Sequence, residues 1–238
     1  MGYWIAAAMC AFFVKGLCGF ANTLVFTSIL SFGVNNVDIS PVELLMGFPA
    51  NLLVILKERR HLRCRICLPL AGMVMLGCVP GALFLKRADA RAVKLLCGAV
   101  IVLVGLEMLF RERRPARRAP SRAALVGLGL LSGVLCGLYG IGALASVYIS
   151  RVTEDSHAFK ANVCMVFFCE NLFRITLYTA WGVLGTAQLT RALTLLPCVL
   201  AGLGLGMLVG RMLDEKRARY AVVAALVVSG VALILNSL

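Results

Sequence analysis

Lys15 is the only charged residue within residues 1–37, and it directly precedes Gly16, with Gly19 three residues further on. A lysine midway along an apolar stretch has little route to water, so its ammonium group needs an anionic partner. Glycines that interrupt a helix leave backbone N–H groups without intrahelical partners, and such groups bind anions. The motif therefore predicts an anion-binding position at which Lys15 supplies the counter-charge.

A pair of charged residues lies in the second half of the chain. Glu170 and Arg174 are four residues apart, a spacing that places both on one face of a helix and permits an ion pair. In one interpretation the pair neutralises itself and fixes the helix. In the other, Arg174 binds an oxyanion through two hydrogen bonds, and Glu170 holds the guanidinium or carries a proton.

Further polar residues accompany these charges. Glu43 and Glu107 lie near the ends of apolar segments, so we expect both at the membrane interface. The candidates for bonding a substrate or freed backbone groups are Asn22, Thr23 and Thr27 after the first glycine pair, and Asn51 and Asn171 at matched positions.

Two halves of the chain resemble each other. Each half contains three motifs in the same order: a glycine-rich motif, an apolar motif that contains an asparagine, and a G-xxx-G motif followed by a basic loop. The matched segments are 16–21 (GLCGFA) with 137–142 (GLYGIG), 48–53 (FPANLL) with 168–173 (FCENLF), and Gly77-xxx-Gly81 with Gly206-xxx-Gly210.

The chain is very apolar for its length. Of its 238 residues, 61% are hydrophobic and 15% are charged, and the mean hydropathy is +0.93. Because a membrane-spanning helix needs about 20 apolar residues, the sequence predicts an all-α polytopic membrane protein with about eight hydrophobic segments. These are residues 1–37, 42–56, 66–85, 95–110, 123–150, 161–190, 192–210 and 220–238.

The net charge of +13 comes from basic residues between the apolar segments. That distribution is typical of cytoplasmic flanks that face anionic lipid, and it argues against nucleic-acid binding. The N-terminal stretch lacks a basic leader and is too long for a signal peptide, so we expect it to be retained. We predict a multi-pass inner-membrane protein whose partners are the lipid bilayer and a small anion. The sequence is also compatible with a homo-oligomer.

The repeats suggest an N-terminal unit over 1–110, a basic cytoplasmic linker over 111–122 and a C-terminal unit over 123–238. Each unit would hold one glycine-broken segment followed by three helices. A straight helix over 123–150 would be about 42 Å long, so segments 1 and 5 either cross as broken helices or re-enter on one side. The distribution of loop Lys and Arg favours re-entry, which makes the units inverted repeats.

Few residues suit catalysis. Both histidines, His61 and His157, lie in loops, and we find no metal-ligand spacing or nucleophile with a partner base, so we expect neither an enzyme nor a metal site. Two alternatives to a transporter stay open. One is a passive anion channel, and the other is a membrane thiol protein that uses the C-x-x-C pair Cys64 and Cys67.

The glycine motifs resemble a known family. Residues 15–20 (KGLCGF) resemble the K-G-x-x-G-F-G signature of the TauE/SafE sulfite exporter family, and residues 137–142, 159–161 and 171–174 resemble its second repeat. The likeness covers essentially the whole chain. The family usually has Gly-Ser at positions 21–22 and Gly-Gly-Pro at 142–144, where this chain has Ala-Asn and Gly-Ala-Leu.

The resemblance implies a secondary transporter or exporter of small anions such as sulfite, thiosulfate or organosulfonates. It implies neither an organic cofactor nor an ATPase partner. Transport would proceed by alternating access of the two halves around an anion held between the glycine breaks. The positions that the resemblance carries over are Lys15, Gly16, Gly19, Phe20, Gly140, Gly142, Asn171 and Arg174.

Overall fold

The computed structural model describes residues 2–31, 33–34, 36–87, 99, 102–103, 122–153 and 155–210. These residues form α-helices, with one 3₁₀ turn at Arg59–His61, which confirms the all-α prediction for this part of the chain. Nearly all of predicted segment 95–110, the linker up to 121, and segment 220–238 lie outside the described residues. The helices are α1 Gly2–Cys18, α2 Asn22–Leu30, α3 Asn36–Glu58, α4 Cys64–Arg87, α5 Arg122–Tyr139, α6 Ala143–Val152, α7 Ser156–Ala180 and α8 Thr186–Val209.

Four helices within the described ranges are long and apolar enough to cross a membrane. They span Asp38–His61, Cys64–Phe84, Ser156–Ala180 and Thr186–Val209, which correspond to α3, α4, α7 and α8. Their outward faces carry exposed leucines such as Leu76 (62% exposed) and Leu208 (58%), whereas four charged side chains lie buried in the interior: Lys15, Glu43, Glu170 and Arg174. An apolar exterior around a polar interior fits a multi-pass membrane protein.

Both predicted glycine breaks are present. Gly19 (φ 84°) separates α1 from α2, and Gly140 (φ 72°) separates α5 from α6. Both residues have the left-handed backbone conformation that glycine adopts without steric penalty, and an α-helix cannot continue through it. Ala21, at a position where the family usually has glycine, is also left-handed (φ 73°).

The two helices of each broken segment lie side by side. The Tyr3 hydroxyl at the start of α1 donates a hydrogen bond to the Ile29 carbonyl near the end of α2. In a continuous helix these residues would be about 39 Å apart. In the second half, the Ala145 N–H donates to Ser132 Oγ at 3.1 Å, which joins the start of α6 to the middle of α5. Each broken segment is therefore a helical hairpin.

Helices α3 and α7 run antiparallel. Ser40 near the start of α3 lies 3.4 Å, oxygen to oxygen, from Tyr178 near the end of α7. At the opposite ends, Glu58 Oε2 lies 2.9 Å from His157 Nδ1. The two helices carry the matched motifs 48–53 and 168–173, so these two motifs run in opposite directions.

The two halves pack crosswise through their glycines. A Cβ built on Gly16 of α1 would lie 2.5 Å from the Leu203 carbonyl oxygen and 2.7 Å from the Met207 nitrogen, both of α8. A Cβ on Gly137 of α5 would lie 2.6 Å from the Ala82 nitrogen of α4. The glycines of the G-xxx-G motifs therefore let the helices pack closely, because only glycine permits such close backbone approach.

These contacts also define the register of the repeat. Gly206 faces Gly16 in the α8–α1 pair, as Gly81 faces Gly137 in the α4–α5 pair. Gly81 is therefore the structural counterpart of Gly206, one helical turn earlier than the Gly210 with which the sequence comparison aligned it.

Candidate functional site

Buried charged side chains cluster where the two hairpins meet α3 and α7. Lys15 projects from α1, Glu43 from α3, and Glu170 and Arg174 from α7. Each of the four is at most 3% exposed. Because a buried charge is stable only with partners, the contacts among them determine the chemistry of the site.

Lys15 connects to Glu43 through residues of α2. Lys15 Nζ donates to Asn22 Oδ1 at 3.0 Å, and Asn22 Nδ2 donates to Glu43 Oε1 at 2.7 Å. Thr23 Oγ1 also donates to Glu43 Oε1 at 2.7 Å. The first glycine break thus brings Asn22 and Thr23, the first residues of α2, between a lysine and a carboxylate.

Arg174 lies between the two carboxylates. Its Nη2 is 3.6 Å from Glu43 Oε2, and its Nε is 3.4 Å from Glu170 Oε1, so the predicted Glu170–Arg174 pair is present. Its Nη1 donates to the Cys136 carbonyl at the end of α5, and its guanidinium lies 5.8 Å from the centre of the Tyr178 ring. Arg174 therefore ties α7 to α3 and to the second glycine break.

The matched asparagines meet beside Glu170. With the Asn171 amide oriented to satisfy both of its ends, its nitrogen donates to Glu170 Oε2 at 2.8 Å and its oxygen accepts from Asn51 Nδ2 at 3.1 Å. Cys78 Sγ lies 3.8 Å from Glu170 Oε1. Among the described residues, Asn51 Oδ1 has no hydrogen-bond partner although it is buried.

A small cavity lies at the centre of this cluster. Its volume of about 20 Å³ is room for about one water molecule. Both glycine breaks and both matched asparagines contribute to its wall. The lining residues are Lys15, 20–24, Glu43, Asn51, 140–143, Phe167, Glu170 and Asn171.

The N-termini of α2 and α6 both reach this cavity. The first backbone bond within α2 runs from the Val25 N–H to the Ala21 carbonyl, and in α6 from the Ser146 N–H to the Gly142 carbonyl. The N–H groups ahead of these bonds have no partner within their own helix. Each helix N-terminus carries about half a positive charge, so one electropositive end from each half of the chain meets at the cavity.

A larger vestibule of about 350 Å³ reaches Lys15 from the protein surface. Its outer wall includes the exposed Lys57 and His157, with Glu58 and Lys160 beside them. Lys15 lines both the vestibule and the inner cavity. The lysine therefore stands at the boundary between an accessible basic vestibule and the buried cluster.

A histidine pair lies at the mouth of the vestibule. Glu58 Oε2 is 2.9 Å from His157 Nδ1 and 3.8 Å from His61 Nδ1, and the two imidazole rings stack with centroids 5.3 Å apart. In the described part of the chain, no three His, Cys, Asp or Glu side chains are grouped so that they could hold a metal ion.

The predicted glycines occupy positions without space for a side chain. A Cβ on Gly140 would lie 2.9 Å from Thr23 Cγ2 and 3.1 Å from both Arg174 Nη1 and Glu43 Oε2. A Cβ on Gly142 would lie 2.5 Å from Phe167 Cζ. The second break is thus shaped around the charged cluster despite its departure from the family pattern.

Three other predicted residues differ in what they contact. Gly16 packs against α8 and reaches the vestibule, and Phe20 lines the inner cavity with its ring 5.7 Å from that of Phe159. Arg174 lies behind the carboxylates and is not among the described residues of the cavity wall. The structure therefore brings Arg174 to the site as the partner of Glu43 and Glu170, and Lys15 is the cation on the wall.

The interfacial position predicted for Glu43 is wrong. Glu43 is 3% exposed and accepts hydrogen bonds from Asn22 and Thr23 inside the cluster. Helix α3 begins at Asn36, so Glu43 lies two turns inside it. A signal was present in the sequence, because Glu43 and Asn51 are eight residues apart and share a helix face.

The C-x-x-C pair lies apart from this site. Cys64 is exposed at the start of α4, Cys67 is buried one turn later, and both are free thiols. Neither lines the inner cavity or the vestibule.

The chain was compared with protein families, curated proteins and solved structures. A family model described as Sulfite exporter TauE/SafE matches residues 4–233, nearly the whole chain. No curated protein and no solved structure matches the chain.

Proposed function

Because the chain belongs to the sulfite exporter TauE/SafE family, a family of membrane transporters, we propose that it is a secondary transporter of small sulfur oxyanions that works by alternating access. One observation carries the proposal: the N-termini of α2 and α6 and the Lys15 ammonium meet at one buried cavity. Helix N-termini and a lysine are the groups that bind oxyanions in a low-dielectric environment.

The sizes of the two cavities support a movement of the hairpins between them during transport. The inner cavity, at about 20 Å³, holds about one water, whereas the vestibule of about 350 Å³ has room for a sulfonate-sized anion. An anion that reaches Lys15 from the vestibule can enter the cluster only when the hairpins separate. We propose that the described conformation is open toward the basic loop at 57–65, which we expect in the cytoplasm.

We infer that the two halves are inverted repeats, and this relation would supply a physical basis for that movement. Helices α3 and α7 carry matched motifs and run antiparallel, and α1 packs on α8 as α5 packs on α4. A molecule built from two such halves can alternate between two conformations that are related by exchange of the roles of the halves. In the second conformation the α5–α6 hairpin would open the cavity toward the opposite face.

Counterflow in proteoliposomes tests the proposal. Wild-type protein should exchange sulfite, thiosulfate or sulfoacetate saturably at zero gradient, with a simple carboxylate as the negative control. Lys15→Ala should abolish this exchange, whereas Arg65→Ala, which removes an exposed basic side chain outside both cavities, should preserve it.

The outcomes separate the alternatives. A passive channel would show flux of the labelled anion without counterflow. Wild-type exchange by Lys15→Ala would contradict the assignment of the anion site. Loss of exchange in a Cys64→Ser/Cys67→Ser variant that inserts normally would favour the thiol protein instead.

A further inference from the structure

The buried cluster contains two carboxylates that a site for an anion does not require. Within the described residues its ionic side chains are Lys15 and Arg174 against Glu43 and Glu170, so their formal charges cancel. The α2 and α6 N-termini add about half a positive charge each. Together they match a monovalent anion and leave one negative charge of a divalent anion without a partner.

We propose, on the basis of the transport function above, that Glu43 takes up one proton when a divalent sulfur oxyanion binds and releases it together with that anion. The proton comes from water in the vestibule, forms an O–H bond at Glu43 Oε2, and returns to water on the opposite face. No electron transfer is involved. One dianion and one proton move in the same direction, so each cycle carries one net negative charge.

The contacts of the two carboxylates favour Glu43 over Glu170. Glu170 Oε2 accepts from Asn171, and Glu170 Oε1 accepts from Cys78 Sγ at 3.8 Å. Arg174 Nε lies 3.4 Å from Glu170 Oε1 as an ion pair without a hydrogen bond. Glu43 Oε1 accepts two neutral donors, whereas Oε2 lies 3.6 Å from Arg174 Nη2, too far for a hydrogen bond. Among the described residues, a proton on Oε2 therefore displaces no hydrogen bond.

Glu43 is also the carboxylate linked to the vestibule. Lys15 lines both cavities and reaches Glu43 through Asn22 alone, with bonds of 3.0 and 2.7 Å. An anion that binds the Lys15 ammonium weakens the hydrogen bond between Lys15 and Asn22. Its charge also makes the electrostatic potential at Glu43 more negative, which favours protonation of Glu43. The titratable groups of the neighbouring helices are Lys15 of α1, Cys78 of α4, Cys136 of α5, and Glu170, Arg174 and Tyr178 of α7; α2 contributes only the neutral Asn22 and Thr23.

Glu43→Gln imitates the protonated state. The glutamine oxygen can accept from Asn22 and Thr23 as Glu43 Oε1 does, and no proton can be gained or lost. Asp38→Asn, which neutralises an exposed carboxylate on the same helix, is the matched control. Thiosulfate and sulfoacetate are the probes because neither changes protonation near neutral pH, whereas sulfite does.

In proteoliposomes, wild type and Asp38→Asn should accumulate the probe against its concentration gradient when the compartment that the probe leaves is made acidic. Their apparent affinity should fall about tenfold for each unit of rising pH in the alkaline limb, as one linked proton requires. Glu43→Gln should lose the pH-driven accumulation, and the apparent affinity of its remaining counterflow should not change with pH. Accumulation by Glu43→Gln equal to that of wild type would overturn the assignment.

A second measurement covers the case in which Glu43→Gln does not fold. Addition of thiosulfate or sulfoacetate to purified wild-type protein in weakly buffered detergent should remove about one proton per bound anion from solution, because binding linkage is reciprocal. Anion binding without proton uptake would refute the proposal while leaving the transport function intact. Absence of counterflow for every anion tested with wild type would instead refute the transport function itself.

Discussion

Replacing Gly140 by alanine tests whether the second glycine break shapes the anion site or only ends a helix. Gly140 has φ 72°, and the exposed Gly182 between α7 and α8 has φ 68°. The two glycines therefore share one backbone conformation. They differ in surroundings, because a Cβ on Gly182 meets nothing within 4 Å, whereas a Cβ on Gly140 meets the charged cluster.

The backbone effect should be the same at both positions. The left-handed conformation disfavours alanine by about 1–2 kcal/mol, and the stiffer unfolded chain returns about 0.4–1 kcal/mol, so each variant should lose about 1 kcal/mol. Only Gly140→Ala adds a steric effect. Its methyl group would lie 2.9 Å from Thr23 Cγ2 and 3.1 Å from Arg174 Nη1 and Glu43 Oε2, whereas carbon contacts are optimal at about 3.5–4.0 Å.

Relief of these contacts requires the Arg174–Glu43 pair to move. Overpacking of this kind reduces stability by about 1–3 kcal/mol, so Gly140→Ala should lose about 2–4 kcal/mol in all. A chain of this size changes its melting temperature by about 2–4 °C per kcal/mol. Thermal unfolding in detergent should therefore separate the two variants, and anion counterflow should fall about tenfold or more only in Gly140→Ala.

The comparison has a clear opposite result. Equal counterflow in the two variants, at equal amounts of inserted protein, would show that the charged cluster tolerates displacement by the methyl group. In that case the geometry around Gly140 is not a determinant of transport.

Three further predictions concern the rest of the fold. Gly206→Ala should separate α1 from α8 and lower the melting temperature, whereas Gly204→Ala, with nothing within 4 Å, should not; equal effects would contradict the close packing. The Ala158 N–H, 2.6 Å from Asp155 Oδ1, holds the pKa of that carboxyl below its ordinary value of 3.8. The stabilisation that this cap of α7 provides should be complete above pH 3.8 and should be lost as the pH falls through the lower folded-state pKa. In thermal unfolding, Asp155→Ala should lower the stability by about 1 kcal/mol. The variant should also lack this acid-dependent loss of stability. The exposed Cys64 should react with a membrane-impermeant maleimide in inside-out vesicles and not in intact cells; the reverse pattern would invert the topology.

Some of the site could be predicted because the underlying constraints are local. A left-handed residue inside an apolar segment nearly always requires glycine, so Gly19 and Gly140 mark the breaks directly. A lysine far from the ends of such a segment needs an internal partner, which identified Lys15. Both inferences depend on the chemistry of single residues and not on how the helices assemble.

The errors arose where assembly matters. Glu43 lies near the start of the apolar segment 42–56, which suggested a position at the membrane interface, but α3 begins six residues before that segment, at Asn36. The spacing of Glu170 and Arg174 predicts that both lie on one face of α7, but it does not predict which helix packs against that face. Because α3 brings Glu43 to the far side of the guanidinium, Arg174 holds two carboxylates and does not line the cavity.

The crosswise packing of the hairpins has a consequence for biogenesis. Gly16 of α1 packs against α8, which is synthesised last among the described helices. In the same way, α4 packs against α5, which belongs to the second half of the chain. During translation the first hairpin therefore sits in the membrane with its closest neighbour not yet synthesised. Neither half can form its native helix packing alone, so we expect two separately encoded half-chains to be stable only when they are expressed together. The membrane insertion machinery and its quality control would have to hold the first half until the second is complete.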